Sequence, residues 1–160
     1  MTKKPLNNVL HQLMHAYKQL LAEEIHRHQI DLPVTHIRIL KGVHYQAQTS
    51  AQCTANAIAE FMQRDKAQIT RALNTLIDSN LIVKLANPLD GRSQLLRLTA
   101  EGAQIVSQIQ AIDDHVLARL TQDLDADSLA VFLKVSRTMI ANASKLSTKA
   151  NAISNEGDAL

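Results

Sequence analysis

A mainly α fold of about six helices with a single β-hairpin is what this sequence predicts, on three observations. Apolar residues make up 46% of the chain but aromatics only 2%, so the apolar mass is Leu, Ile, Val, Ala and Met. With only four Gly and three Pro, that composition favours helices, because these side chains lose little freedom in a helix and breakers are scarce. Apolar residues recur at three- and four-residue steps in separate runs, the period of one helix face. One window departs from that period: Leu81-Ile82-Val83-Lys84-Leu85 and Gln94-Leu95-Leu96-Arg97-Leu98 are β-prone and flank the turn cluster Asn87-Pro88-Leu89-Asp90-Gly91. At 160 residues the chain is expected to form one domain, with a core large enough to fold unaided.

The elements follow in order. Leu6, Leu10, Leu13, Tyr17, Leu20, Leu21 and Ile25 form one apolar row of a long first helix, about 6–30, which Asp31-Leu32-Pro33 breaks. Pro33 suits the first turn of a second helix, where its missing N–H costs nothing. The inner face of that helix is Val34, Ile37, Leu40 and Val43, and residues 45–53, polar and small, read as a loop. Thr54 caps a short third helix with Ile58, Ala59 and Met62 inward. Gln63-Arg64 is a tight connection, and Asp65 caps a fourth helix whose buried row is Ile69, Leu73, Leu76 and Ile77. Asp78-Ser79-Asn80 ends it, and the hairpin follows. Thr99 caps a fifth helix facing in with Val106, Ile109, Ile112, Val116 and Leu120. After the break at Asp125-Ala126-Asp127-Ser128, a sixth helix carries Leu129, Phe132, Val135, Met139, Ile140 and Ala143. Residues 147–160 are polar without an apolar period and are expected to be a disordered tail.

Several function classes are excluded. One cysteine, Cys53, cannot form an internal disulfide, so a disulfide-stapled secreted domain is out. No apolar run of signal-peptide length follows Met1-Thr2-Lys3-Lys4-Pro5, and none approaches the ~18 residues of a membrane span. A cytoplasmic protein that does not engage the membrane is expected. There is no Gly-rich phosphate loop, nucleophile elbow or spaced Cys/His/Asp set, so neither an enzyme nor a cofactor is expected.

Net charge is +2, which by itself decides nothing, but its distribution is uneven. Residues 63–97 hold Arg64, Lys66, Arg71, Lys84, Arg92 and Arg97 against Asp65, Asp78 and Asp90, a local +3. Residues 98–127 hold Arg119 against Glu101, Asp113, Asp114, Asp123, Asp125 and Asp127, a local −5. Clustered positive charge is the footprint of a phosphate-binding surface. A short helix, a tight turn, an amphipathic helix and a hairpin, in that order, make a winged helix-turn-helix, whose second helix must show a polar face to the major groove while its other face stays packed. With Ile69, Leu73, Leu76 and Ile77 inward, Lys66, Ala67, Gln68, Thr70, Arg71, Asn74 and Thr75 face out. Gln and Asn can pair with adenine edges and Arg with guanine or phosphate. A solvated helix face would also be polar, but it usually alternates Glu with Lys; this helix has one acid in its first turns, Asp65, and that sits at the cap.

The run Asp65-Lys66-Ala67-Gln68-Ile69-Thr70-Arg71 resembles the start of the recognition helix of the multiple antibiotic resistance regulator (MarR) family. The run from Asp90 to Gly102 resembles that family's wing signature: Asp, any residue, Arg, a strand, then Leu-Thr and a Gly three residues on. In layout the likeness spans about residues 6–146. It implies a bacterial transcription regulator, an intertwined homodimer held by helices about 6–30 and 100–146, with the winged segment about 33–99 on duplex DNA at a near-palindromic operator. It implies a repressor released by a small-molecule effector, by oxidation or by a metal. By position Arg92 matches the wing Arg that reaches the minor groove, Asp90 the acid that orients it, and Gln68, Thr70 and Arg71 the groove-facing segment. The DNA-binding set is then Lys66, Gln68, Thr70, Arg71, Asn74, Asp90, Arg92 and Ser93, with no catalytic and no metal residue.

Sensing residues are less defined. No base adjoins Cys53 in sequence to lower its pKa, so it reads as a small packed residue. His11 and His15 share a helix face at i, i+4, and His26, His28, His36 and His115, beside Asp113 and Asp114, are further candidates for a zinc-responsive member of the family, though no full ligand run is present. The other alternative is a helical adaptor that binds proteins through its long helices and not DNA; salt-sensitive DNA binding separates the two.

Overall fold

The computed structural model describes residues 3–50 and 52–157; of residues 3, 4 and 146–157 it describes the backbone alone. The elements run α1 (Lys3–Arg27), α2 (Val34–Thr49), α3 (Ala55–Met62), α4 (Lys66–Asp78), β1 (Ile82–Ala86), β2 (Gln94–Leu98), α5 (Ala100–Thr121) and α6 (Ala126–Gly157). The six expected helices and one hairpin are present in the expected order. By its internal contacts the chain divides into two compact units, Met1–Val116 and Leu117–Leu160, so the division falls inside α5. Among the described residues no helix is long and apolar enough to cross a membrane.

Within the first unit, α2 packs against α3, α4 and β2, and α4 against β1. The shared core is Ile39, Leu40 and Val43 of α2, Cys53, Ile58 and Met62 around α3, Ile69, Leu73 and Leu76 of α4, and Leu81, Ile82, Leu96 and Val106 beyond. The rows expected for α3 and α4 are the buried ones, with Ile77 half-buried. Each Leu or Ile removed from water here contributes about 1.5–3 kcal/mol. The strands are antiparallel, with Ile82 opposite Leu98 and Leu85 opposite Leu95. On the outer side of β2, the Leu96 N–H donates to the Cys53 carbonyl at 2.7 Å, which ties the hairpin to the segment entering α3.

Chain ends of the helices follow their caps. Thr54 Oγ1 accepts from Ala57 N at 3.2 Å, and Asp65 Oδ1 from Gln68 N at 3.1 Å, each satisfying a first-turn amide that has no partner within the helix. Gln63 closes α3 in the left-handed region at φ 50, which makes the connection to α4 short. Thr99 does two things at the start of α5: its Oγ1 accepts from Gly102 N at 3.0 Å and donates to the Asn80 carbonyl at 2.7 Å. Gly102 is required by proximity, since a Cβ there would stand 2.1 Å from the Leu81 carbonyl oxygen.

Four expectations are corrected. Pro33 is the N-cap of α2 and not part of its first turn; Val34, first in the helix, overhangs its end and is 70% exposed. Ile39 takes its place in the core at 0% exposure, because α2 is covered from several sides and buries a wider stripe than a surface helix. Residues 45–49 are helical and not loop: lacking an apolar period they are invisible to pattern, but Tyr-Gln-Ala-Gln-Thr contains no breaker, and Thr49 Oγ1 bonds back to the Tyr45 carbonyl. The helix ends at Ser50, whose ψ of 139 is extended. Finally, α6 carries helix through Gly157 into the segment expected to be an irregular tail, while residues 158–160 lie outside the described residues.

Candidate nucleic-acid interface

The outward face of α4 is fixed by what its inner face buries. With Ile69, Leu73 and Leu76 in the core, Lys66, Ala67, Gln68, Thr70, Arg71, Asn74 and Thr75 are all exposed, as the helical period required. Thr75 Oγ1 is engaged by the Arg71 carbonyl at 3.2 Å, so it is the least available of them for an outside partner. Asp65 spends one carboxylate oxygen on the cap. The side chains of Lys66 and Arg71 make no ion pair among the described residues, so their charge is available to a ligand.

The wing tip is a hydrogen-bonded turn. Asp90 Oδ1 accepts from the Arg92 backbone N–H at 3.0 Å, and the Ser93 N–H donates to the Asp90 carbonyl at 3.1 Å. Asp90 therefore orders the chain that carries Arg92; no ion pair joins the two side chains among the described residues. The short Asp side chain is at the right separation to bond the backbone two residues on, the Asx-turn preference, which outweighs a surface ion pair. Arg92 is exposed and its side chain is free to leave the protein surface. Ser93 is half-buried: its hydroxyl accepts from Asn87 Nδ2 at 2.8 Å and lies 3.3 Å from the Asp90 carbonyl as a donor, so it belongs to the turn itself.

Asn87, one of the turn cluster in the sequence, also makes tertiary hydrogen bonds. It is 6% exposed, donates from Nδ2 to Gln52 Oε1 at 2.9 Å as well as to Ser93, and accepts on Oδ1 from the Leu89 N–H at 3.0 Å. One side chain thus locks both ends of the wing loop to each other and to the segment before α3. No period or spacing marks such a residue; the available signal was an Asn before Pro in a turn, which favours side-chain bonds to nearby backbone.

Elsewhere in the first unit, Lys41 Nζ pairs with Asp113 Oδ2, joining α2 to α5, while Asp113 Oδ1 is buried without a hydrogen-bond partner among the described residues. Burial, and then the charge of Asp113, push the Tyr17 phenol above its usual range, with Lys41 opposing. Asp113 is thereby committed to Lys41 and not to His115, and His11, His15, His26, His28 and His115 are exposed, with His36 half-buried. Among the described residues no three His, Cys, Asp or Glu side chains converge as a ligand set. Cys53 is fully buried, and burial pushes its thiol above the ordinary cysteine range, with Arg97 pulling the other way.

Known proteins share this arrangement. A sequence model of the MarR family matches residues 30–93, the winged segment with its approach. Over 127 residues the chain is 27% identical to the multiple antibiotic resistance protein MarR of Escherichia coli, covering 79% of this chain and 84% of that one. It is 32% identical over 68 residues to the HTH-type transcriptional regulator BilQ of Clostridioides difficile, covering 40% of this chain and 46% of that one. A crystal structure of an E. coli MarR mutant complexed with operator DNA superimposes with a TM-score of 0.67 at 25% identity, covering 84% of this chain and 93% of that chain. The matched segment, the structural likeness, and the recognition-helix and wing residues described above agree: residues 30–93 match the MarR family, and the chain is similar in fold to solved MarR proteins.

Proposed function

We propose that this protein is a transcription regulator that binds operator DNA as a homodimer, with α4 of each copy in the major groove and the wing over the adjacent minor groove. The observation that carries the reading is the exposed face of α4: an acid-free row of Lys66, Gln68, Thr70, Arg71 and Asn74 held rigidly by a buried row, beside a wing that presents an unpaired Arg92. Gln68 and Asn74 suit adenine edges, Arg71 suits guanine or phosphate, and Arg92 suits the negative potential of a narrow A·T-rich minor groove. A relative of this fold has been solved with operator DNA, which supports the same use here. One similar protein is a helix-turn-helix transcriptional regulator and another a multiple antibiotic resistance repressor; by that likeness, repression relieved by a small ligand is the mode of action we assign.

The test is selection. Purified protein is offered a genomic fragment pool, the retained fragments are sequenced, and binding to the enriched site and to a scrambled duplex is titrated at several salt concentrations. The reading requires a near-palindromic motif, an affinity at least ~10³ above the scrambled duplex, and a steep fall with salt. Equal affinity for both duplexes, or no salt dependence, overturns it. Transcription from a template carrying the site, with and without protein, then reads the sign of regulation.

A further inference from the structure

The start of α3, the start of α4 and the base of the wing converge on an open cavity of about 240 Å³. Its lining brings together Lys66 of α4, Lys84 of β1 and Arg92 of the wing with Asn56 and Ser93, and it contains no acid. We propose that this cavity seats a phosphate of the DNA backbone, held by Lys84 and Asn56 together with Lys66; the proposal rests on the DNA-binding reading above and adds two contact residues to it.

Three arguments lead there. The first is charge. Lys66, Lys84 and Arg92 come from three separate elements, and none of their side chains has an ion pair among the described residues. Like charges gathered at one cavity repel, and an anion between them removes that cost. Across this cavity and the one adjoining it the single acid in the linings is Glu60, and it lies in the adjoining one with Arg64.

The second is backbone donors. In the first turn of α3 the Ala57 N–H goes to Thr54 Oγ1 and the Ile58 N–H to the Thr54 carbonyl, while the amides of Ala55 and Asn56, both lining the cavity, are the first-turn donors that no intrahelical carbonyl can reach. Such donors strengthen an anion site that the cations already define.

The third is position. Major and minor grooves are separated by a sugar–phosphate strand, so a protein with one element in each must straddle that strand. The cavity lies between the element assigned to the major groove and the one assigned to the minor groove, where the strand passes. At about 240 Å³ it has room for a phosphate with some of its water, each water taking ~30 Å³. A contact of this kind carries no sequence information and fixes register.

The test compares wild type, Lys84→Ala, Lys84→Arg and Asn56→Ala on the selected site and on a scrambled duplex, over a range of salt. Lys84→Ala should weaken both duplexes by the same several-fold factor, leave their ratio unchanged, and lower the slope of log affinity against log salt by about 0.9 for each subunit. Lys84→Arg should restore the slope, and Asn56→Ala should weaken both duplexes without changing it. Replacing single phosphates by neutral methylphosphonates should reveal one position per half-site whose cost to wild type is clearly larger than its cost to Lys84→Ala, which retains only the Lys66 and Asn56 contacts there. Inorganic phosphate titrated at constant ionic strength should not compete. If wild type binds with steep salt dependence but Lys84→Ala keeps both affinity and slope, the cavity is not a phosphate seat, and the DNA-binding reading stands. Competition by inorganic phosphate that Lys84→Ala abolishes would assign the cavity to a free anion instead. Absence of salt-dependent duplex binding by wild type overturns the function itself.

Discussion

Arg92 stands on a turn whose geometry is set by its own backbone amide and Asp90, and its guanidinium is left for an outside partner. Replacing it with Ala should therefore weaken specific and non-specific duplexes alike and lower the salt slope by about one per subunit, with little change in melting temperature. Asp90→Ala should do less harm to binding, since it loosens the turn and leaves the charge. Titration of both variants at several salt concentrations checks this, and an unchanged slope for Arg92→Ala removes it from the interface. Gln68 and Arg71 act differently. Each Ala variant should lose about 1–3 kcal/mol on the selected site and almost nothing on the scrambled one, because base-edge contacts exist only on the cognate sequence. Cys53 lies in the core with its thiol held in the neutral form. Since the thiolate is the reactive species, a thiol reagent should label native protein slowly and denatured protein at once. Cys53→Ala should bind DNA as wild type does; Cys53→Ser would confuse the test by burying a hydroxyl.

At the scale of elements, the wing signature divides its labour. Asp90 and Arg92 shape and arm the tip, whereas Leu98, Thr99 and Gly102 make the joint between β2 and α5: Leu98 packs on the core, Thr99 caps the helix and holds the Asn80 carbonyl, and Gly102 leaves room for the Leu81 carbonyl. Gly102→Ala pushes a methyl into backbone that cannot yield, and should cost about 2–4 kcal/mol of stability by denaturant melt, a strain effect of the kind that produces the largest single-mutant losses. Asn87→Ala should cost about 1–3 kcal/mol by stranding Gln52 and Ser93. At the start of α6, Asp125 accepts from Ser128 N at 2.7 Å and Ser128 Oγ at 2.8 Å. These bonds, the backbone one first, hold its carboxyl below the usual range, with slight desolvation opposing. A depressed pKa means stability that is present above the unfolded value and lost as pH falls through the lower folded one. The melting-temperature gap between wild type and Asp125→Ala should accordingly be open at pH 6 and close as the pH falls below the ordinary Asp range. A gap independent of pH would show that the charge of Asp125 contributes nothing.

For the whole molecule, the outstanding feature is apolar surface that one chain leaves uncovered. Leu6, Val9, Leu10, Leu13 and Met14 of α1, and Val131, Phe132, Val135, Met139 and Ile140 of α6, are large and exposed. An exposed apolar row on a helix is the kind of surface that marks an interface, and two-fold pairing through these helices would set two copies of α4 about one DNA turn, ~34 Å, apart. Sedimentation at micromolar concentration should return about twice the 17.7 kDa of one chain. Val135→Asp should lower the mass and, with it, the affinity for the palindromic site. A wild-type mass near 17.7 kDa would refute the dimer.

What the sequence determined alone was whatever repeats or caps. The helical period marked the buried rows of α3 and α4, and with them the outward residues of α4, because burying one face of a helix assigns the other. Thr54, Asp65 and Thr99 were legible as caps because a side chain that reaches its own N3 amide needs no distant partner. The tertiary structure decided what depends on neighbours far along the chain. Ile39 is buried and Val34 exposed because of where α3, α4 and β2 lie around α2. Asn87 became a structural link through Gln52, thirty-five residues away. Lys84, unremarkable on its strand, came to line one cavity with Lys66 and Asn56 only when folding brought three elements together. Local pattern encodes which side of an element faces in; convergence of residues from separate elements is a property of their packing, and no spacing in one dimension records it.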